Sequence, residues 1–169
     1  SLFSKQYLKK NIQLKKSSNK YTLKLNDFKK LQNFAKKINI DFVATPFSNK
    51  EVDFLAHKLK VKLIKIASMD INNYPFIEYI AKKKIPIILS TGFGSRSEII
   101  KATSLIKKYK TKFAILHCVS EYPPQNNKLN LSRIKLLKKQ FKVPIGFSDH
   151  TIGTSASVIA MTLGAKIIE

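Results

Sequence analysis

A lysine and several serines near the ends of apolar segments are the residues whose types and spacing suggest chemistry. Lys65 lies inside the apolar segment 63–68, and Ser68 ends that segment. Because burying an unpaired charge is strongly unfavourable, this lysine needs an anionic partner or a path to water. Two interpretations stay open. Lys65 either pairs with a carboxylate of the protein or extends to solvent, or it holds a phosphate or carboxylate ligand with the hydroxyls of Ser68, Ser90 and Ser148.

The second group of candidates is the run Ser148-Asp149-His150-Thr151. His150 could act as a general base, bind a metal ion, or lie in the core with its hydrogen bonds satisfied. Ser148, Asp149 and His150 cannot form a Ser-His-Asp relay with one another, because neighbours on a strand point to opposite sides. The chain also has no G-x-S-x-G elbow. The sequence therefore argues against a serine hydrolase.

The remaining histidines and the single cysteine are weaker candidates. His117 precedes Cys118 within an apolar segment and is expected to fill the interior. Cys118 is expected to behave as a small buried apolar residue. His57 lies among lysines on a helical pattern and is expected at the surface. A single cysteine excludes an internal disulfide framework and a cysteine-based zinc site.

Six apolar segments carry the candidate residues, and each ends in polar or charged side chains. The segments are 42–47, 63–68, 86–91, 113–120, 144–150 and 165–169. Short apolar segments separated by helical patterns predict buried parallel strands. The carboxyl ends of such strands lie on one face of a sheet or barrel, where active sites are found.

Helical patterns with recognisable ends alternate with these segments. The end signals are Asn26 as a first cap, capping boxes at Ser48-x-x-Glu51 and Ser95-x-x-Glu98, Pro75 in a first turn, and Gly164 after a last turn. This alternation predicts an α/β fold, either a doubly wound sheet or a (β/α)8 barrel. The glycine-rich turn that normally follows the first strand of a doubly wound nucleotide-binding sheet is absent.

The length of the chain limits the barrel. A (β/α)8 TIM barrel needs eight strands and about 250 residues, whereas this chain has 169 residues and six predicted strands. We therefore predict an incomplete barrel with its first two strands missing. Residues 1–25 are predicted to form a connecting segment, and residues 26–169 the partial barrel.

The net charge of +22 raises the question of an anionic partner. Of the 32 basic residues only Arg96 and Arg133 are arginines, the side chain that dominates base-edge recognition. The lysines fall mostly on outer helix faces, which predicts a solvated surface and no nucleic-acid partner. No segment approaches the roughly 20 apolar residues of a membrane span, and no signal-peptide core is present. We therefore predict no membrane partner and a cytoplasmic location.

Four motifs in order resemble a known family. They are LIKIASMDINNYP at 63–75, IILSTG at 87–92, LHCVSEYPP at 116–124 and GFSDHT at 146–151. They resemble the sialic acid synthase family, which includes the N-acetylneuraminate, legionaminate and pseudaminate synthases. The resemblance implies a (β/α)8 barrel that condenses phosphoenolpyruvate with an N-acetylated amino-hexose such as N-acetylmannosamine. The products would be a nonulosonic acid and phosphate.

The resemblance also implies roles for individual residues. The residues implied to bind phosphoenolpyruvate are Thr45, Lys65, Ser68, Ser90, Ser120 and Ser148, with Ser120 standing where some members have Asn. Asp70 and Tyr122 would contact the sugar. His150 would be one of two histidines that hold a divalent cation, typically Mn²⁺ or else Mg²⁺. Lys65, Asp70 and His150 would form the catalytic set.

The rest of the family's site is expected outside this chain. The resemblance places there the first two strands, the second metal-binding histidine and a small C-terminal antifreeze-like domain. It also implies that the intact enzyme is a homodimer. The alternative hypothesis is a non-catalytic, anion-binding remnant of the same barrel.

Overall fold

The structure is a computed structural model that describes residues 23–169. Its centre is a parallel sheet with the strand order β1-β2-β3-β4. The strands are β1 (Ile64–Ile66), β2 (Ile87–Ser90), β3 (Phe113–Cys118) and β4 (Ile145–Ser148). Single parallel bridges extend the sheet at both edges, joining Ala44 to Ile64 and Ile168 to Phe147. The predicted α/β class with a parallel sheet is confirmed.

Helices connect the strands. They are α1 (Leu25–Lys37), α2 (Asn49–Asp53) continuing into a π-helical turn (Phe54–Lys58), α3 (Tyr74–Lys82), α4 (Arg96–Lys108), α5 (Arg133–Phe141) and α6 (Ser155–Thr162). Two 3-10 turns, Ser68–Asp70 and Asn126–Lys128, follow β1 and β3. Within residues 23–169 no helix has both the length and the apolar character needed to cross a membrane.

The capping signals position most helix starts as predicted. Ser48 Oγ accepts a hydrogen bond from the Glu51 amide at 3.3 Å. Ser95 Oγ accepts from the Glu98 amide at 3.3 Å, and the Glu98 carboxylate accepts from the Ser95 amide at 2.8 Å. These bonds satisfy amides that a helix start leaves without partners. Each of the two helices therefore begins directly after its strand-end loop.

The start of α1 differs from the prediction. Asn26 was expected to cap this helix, but the helix begins at Leu25. The carboxylate of Asp27 accepts the Lys24 amide at 3.0 Å and takes the capping role. Of the predicted connecting segment 1–25, residues 1–22 lie outside the described residues.

The first and last predicted strands are shorter than expected. Segments 42–47 and 165–169 contribute one bridge residue each, Ala44 and Ile168. An edge segment pairs on one side only, so fewer hydrogen bonds hold it in a regular ladder. Segment 165–169 still follows β4 through backbone bonds from Phe147 N to Ile167 O at 2.9 Å and from Glu169 N to Phe147 O at 3.0 Å.

Strand alternation divides the sheet into two faces. One face packs on the helices and consists of large apolar side chains: Ile64, Ile66, Ile87, Leu89, Ile115, Ile145 and Phe147. The opposite face, called here the inner face, carries Lys65, Ser90, Cys118 and Ser148 at or near the carboxyl ends. The same strands therefore supply both the core and the candidate site.

The sheet curls around its inner face. Lys65 belongs to β1, whereas Glu169 follows the bridge residue Ile168 beyond β4. In a flat sheet these positions would lie about 19 Å apart, because neighbouring strands are about 4.8 Å apart. Instead, Lys65 Nζ is 3.1 Å from Glu169 Oε1. This contact across the inner face shows strong curvature.

Candidate active site

A cavity of about 310 Å³ opens at the carboxyl ends of the strands. Its lining residues are Lys65, Ala67, Ser68, Ser90, Cys118, Tyr122, Ser148, Asp149, His150 and Glu169. The structure therefore brings together six of the residues predicted for the site: Lys65, Ser68, Ser90, Tyr122, Ser148 and His150.

Lys65 is held firmly in the cavity wall. Its neighbours Ile64 and Ile66 are fully buried on the helix-facing side, which anchors the strand. The Lys65 side chain is 17% exposed, and its ammonium pairs with Glu169 at 3.1 Å. The interpretation that Lys65 pairs with a carboxylate of the protein is confirmed. The interpretation that it holds an anionic ligand stays a prediction, and the lysine lies among the serines named for it.

The serine hydroxyls around Lys65 are not all satisfied. Ser90 Oγ is buried and has no hydrogen-bond partner among the described residues. A buried polar group without a partner costs about 1–3 kcal/mol. The hydroxyls of Ser68 and Ser120 are 3.2 Å apart, within hydrogen-bond distance. Ser90 therefore offers an unused hydroxyl on the face where Lys65 lies.

Both ring nitrogens of His150 lie within hydrogen-bond distance of a neighbour. Its Nδ1 lies 3.0 Å from the carbonyl of Val119, which can only accept, so Nδ1 carries the proton. Nε2 is then an acceptor and receives a hydrogen bond from Ser148 Oγ at 3.3 Å. The Tyr122 ring stacks on the imidazole, with ring centres 4.1 Å apart. Metal-binding histidines show this arrangement, in which a carbonyl fixes the tautomer.

The neighbouring Asp149 has a structural role. Its carboxylate accepts hydrogen bonds from the Thr151 amide at 2.9 Å, from Thr151 Oγ1 at 2.8 Å and from Ser157 Oγ at 2.6 Å. Burial acts to raise the pKa of Asp149, but the hydrogen bonds from Ser157 and Thr151 hold it below its usual range. The carboxylate thus ties the loop after β4 to α6, and it does not orient His150. The rejection of a Ser-His-Asp relay agrees with this geometry.

A complete metal site does not form within the described part of the chain. Among residues 23–169, no three His, Cys, Asp or Glu side chains come together as metal ligands. His150 fits a single ligand position through Nε2. Divalent cations need several ligands in fixed geometry, so His150 alone does not make a metal site within the described residues.

Three predicted site residues do not line the cavity: Thr45, Asp70 and Ser120. Thr45 follows the edge bridge at Ala44. Asp70 lies on the turn after β1, where Oδ1 accepts from Asn73 Nδ2 at 3.2 Å and Oδ2 is buried without a partner among residues 23–169. Ser120 contacts the cavity residues Ser68 and Cys118 without lining the cavity itself.

A close approach between two strand ends shapes the wall beside Ser120. A Cβ atom at Gly92 would lie 2.3 Å from Ser120 Oγ and 3.0 Å from Cys118 Sγ. Both distances are too short for any side chain unless the neighbours move. The absence of a side chain at Gly92 therefore lets the loop after β2 pack against the end of β3.

The weaker candidates lie where the sequence predicted. His117 is buried on the helix-facing side, with Nε2 2.7 Å from the Leu129 carbonyl and its ring stacked on Phe147. His57 is exposed on the π-helical turn. Cys118 lines the cavity, and burial raises the pKa of its thiol, although hydrogen bonds from Ser148 and Ser120 oppose the shift. A neutral thiol is a poor nucleophile.

Glu169 is a charged cavity residue to which the sequence analysis gave no role. Its signal was a polar side chain at the end of an apolar segment, at a position that matches a glutamate of the family that the sequence resembles. Its partner Lys65 lies more than one hundred residues earlier in the chain. The two side chains come into contact only because the sheet is curved.

Comparisons with known proteins give one consistent result. The profile of the NeuB family matches residues 2–169. The N,N'-diacetyllegionaminic acid synthase of Campylobacter jejuni is 42% identical over 153 residues, which are 89% of this chain and 46% of that protein. The N-acetylneuraminate-9-phosphate synthase of Mus musculus is 38% identical over 145 residues, covering 85% of this chain and 40% of the relative.

The solved structures agree. The N-acetylneuraminic acid (sialic acid) synthetase from Leptospira borgpetersenii superposes with a TM-score of 0.85 at 41% identity. The match covers 87% of this chain and 51% of that one. The chain thus spans about half the length of these relatives or less.

Proposed function

The chain belongs to the NeuB family, whose members include sialic, legionaminic and pseudaminic acid synthases, and on this premise we propose its reaction. The intact protein would condense phosphoenolpyruvate with an N-acetylated amino-hexose such as N-acetylmannosamine. The products would be a nonulosonic acid and phosphate. The observation that carries the proposal is the cavity that holds both Lys65 and the hydroxyl of Ser90, which has no partner within residues 23–169.

The charge and the donors of the cavity suit a small substrate with several anionic oxygens. Lys65 supplies a fixed positive charge, and Ser68, Ser90 and Ser148 supply hydroxyl donors at the same strand ends. Donors held in place before the reaction stabilise developing negative charge without having to reorganise. Phosphoenolpyruvate has a phosphate and a carboxylate, so it could satisfy Lys65 and Ser90 at once.

The proposed chemistry forms one carbon–carbon bond and one bond between carbon 2 and a water oxygen, and it breaks the bond between carbon 2 and the phosphate oxygen. The π electrons of phosphoenolpyruvate form the bond from carbon 3 to the aldehyde carbon of the sugar, and the aldehyde oxygen takes the displaced electron pair and a proton to become a hydroxyl. Water then adds to carbon 2 and loses one proton. The phosphate leaves with the electron pair of its bond to carbon 2, the new hydroxyl loses its proton, and a ketone remains. Lys65 and the serine hydroxyls would hold the phosphate and carboxylate throughout.

We propose His150 as one ligand of a divalent cation, Mn²⁺ or Mg²⁺. The support is the Nδ1 contact with the Val119 carbonyl, so that Nε2 is the nitrogen that would bind the cation in place of its hydrogen bond from Ser148 Oγ. Such a cation acts as a Lewis acid that polarises a carbonyl oxygen. Tyr122, stacked on the imidazole, would restrict the orientation of His150 and border the sugar.

We further propose that the curved sheet is part of a (β/α)8 barrel whose remaining strands lie outside this chain. The helices at its two edges support this, because they expose apolar side chains: Phe34 of α1 is 59% exposed and Val158 of α6 is 58% exposed. Neighbouring βα units would cover these surfaces. The homodimer and the cytoplasmic location stay predictions.

The test is a synthase assay on the full-length protein that carries this chain. With phosphoenolpyruvate, N-acetylmannosamine and Mn²⁺, we expect phosphate release and a nonulosonic acid product by mass spectrometry. N-acetylated amino-hexoses of other configuration should be tested in parallel. Absence of product with all of them, in a folded protein that still binds phosphate through Lys65, would favour the anion-binding remnant. Residues 1–169 alone are expected to be inactive.

A further inference from the structure

The ion pair between Lys65 and Glu169 presents a conflict within an anion site. The Glu169 carboxylate already pairs with the Lys65 ammonium, which the proposed function assigns to the substrate. Any anion that binds Lys65 must either share the lysine with Glu169 or replace it. Two carboxylates at one ammonium repel each other, so replacement is favoured.

The two partners differ in their freedom to move. Lys65 lies within β1 between two fully buried isoleucines, and its side chain is 17% exposed. The Glu169 side chain is 41% exposed. Its backbone is fixed to β4 by bonds from Glu169 N to Phe147 O at 3.0 Å and from Asp149 N to Glu169 O at 2.8 Å. Within the described residues the glutamate side chain is the less enclosed of the two, so it is the partner that we expect to move while the lysine stays in the cavity.

Glu169 does not provide partners for all the polar groups of the cavity. It neutralises Lys65, but Ser90 Oγ remains without a partner among the described residues. An anion with several oxygens could meet both groups. The cavity therefore favours such a ligand over its own carboxylate, even though the carboxylate is always present at high effective concentration.

We propose that Glu169 is a positioning residue that acts through Lys65: its carboxylate occupies the anion-binding side of the lysine in the empty cavity and is displaced when an anionic substrate binds. In the empty site the carboxylate keeps the ammonium charge paired and the side chain directed into the cavity. Glu169 is thus an internal competitor of the substrate. The inference rests on the proposed function only in taking the cavity as an anion site.

The proposal predicts an increase in affinity, which a merely structural ion pair would not produce. In the full-length protein, Glu169→Gln keeps the shape of the side chain and removes its charge. Titration calorimetry with inorganic phosphate, without sugar or metal, should show binding about fivefold tighter than in the unchanged protein, the scale expected for a partly exposed pair. Lys65→Met in the same titration should weaken binding at least about tenfold.

A second ion pair supplies the matched control. Lys62 and Asp41 are also 3.1 Å apart, but both side chains are exposed and lie outside the cavity. Asp41→Asn changes the net charge by the same amount as Glu169→Gln. Asp41→Asn should leave phosphate affinity unchanged. This control separates competition by Glu169 at Lys65 from the effect of the overall charge of the protein.

The outcomes are distinct. Unchanged or weaker phosphate binding in Glu169→Gln, or equal tightening in Asp41→Asn, overturns the proposal, as does a lack of phosphate binding in every form. If Glu169→Gln fails to fold, Glu169→Asp shortens the side chain, withdraws the carboxylate and should also tighten binding. Tighter phosphate binding without any synthase product would support this inference and contradict the proposed reaction. Product formation without tighter phosphate binding in Glu169→Gln would support the proposed reaction and contradict this inference.

Discussion

The two faces of the parallel sheet differ in what their side chains do. On the helix-facing side, Ile64, Ile115 and Phe147 are at most 1% exposed and contribute to the core. On the inner face, Lys65 and Ser90 lie in the cavity. Lys65 is paired with a carboxylate, and Ser90 Oγ has no hydrogen-bond partner in the part of the chain that the structure describes. Side chains alternate between the two sides of a strand, so each strand places core residues on one face and candidate site residues on the other. Substitutions on the two faces should therefore affect different measurements.

The two histidines near the strand ends follow the same division. His117 belongs to the helix-facing side, bonded to the Leu129 carbonyl and stacked on Phe147. His150 belongs to the cavity, bonded to the Val119 carbonyl and stacked on Tyr122. Both are bonded to a backbone carbonyl, so that bond does not distinguish them, whereas their position relative to the sheet does.

The largest expected effect is a loss of stability on the helix-facing side. Phe147→Ala should lower the free energy of unfolding by about 3–5 kcal/mol, because it empties a fully buried site. Denaturant unfolding of the full-length protein measures this. Val158→Ala, at a side chain that is 58% exposed, should change stability by less than about 0.5 kcal/mol. Equal effects of the two changes would contradict the division between core and surface.

The next effect concerns activity and comes from the inner face. Lys65→Met should lower kcat/KM for phosphoenolpyruvate about 100-fold, equivalent to about 2.7 kcal/mol, because the fixed positive charge of the anion site is lost. Steady-state kinetics with excess sugar measures it. Stability should change by less than about 1 kcal/mol. Lys62→Met, at a side chain that is 83% exposed, should leave the kinetics unchanged, and an equal loss there would show that only the overall charge matters.

The two histidines give a direct comparison. His150→Gln should raise the Mn²⁺ concentration for half-maximal activity at least about tenfold, since losing even an outer partner of a metal ligand costs that much. His117→Gln should leave the Mn²⁺ dependence unchanged. It should instead lower the free energy of unfolding by about 1–2 kcal/mol through its hydrogen bond and packing. A change in the Mn²⁺ dependence with His117→Gln but not with His150→Gln would contradict the roles given to the two histidines.

The smallest expected effect is a pH dependence of stability from His117. Burial lowers the pKa of this imidazole below its ordinary value, which is about 6.5 in the unfolded chain. Below that pH the unfolded state binds more protons, so the free energy of unfolding should fall as pH falls, by at most about 1.4 kcal/mol per pH unit. The difference in stability between the unchanged protein and His117→Gln should shrink from pH 7.5 to pH 5.5. A constant difference would show that His117 does not titrate differently on folding.

Local patterns in the sequence predicted the strand and helix order and much of the cavity. Segments 63–68, 86–91, 113–120 and 144–150 contain the four strands, and the capping boxes at Ser48 and Ser95 begin helices. These features depend on neighbouring residues, since burial and hydrogen bonding at a helix start or strand end act over a few positions. Lys65, Ser90, Ser148 and His150 were found because each stands at or near such an end.

Roles that depend on distant parts of the chain needed the tertiary structure. Strand alternation alone could not show that Asp149 bonds to Thr151 and Ser157, or that Asp70 lies beside the cavity instead of lining it. Nor could it show that Glu169 meets Lys65. The amino-acid order thus determined which residues reach the carboxyl edge of the sheet. The curvature of the sheet, a property of all its strands together, decided which of those residues touch.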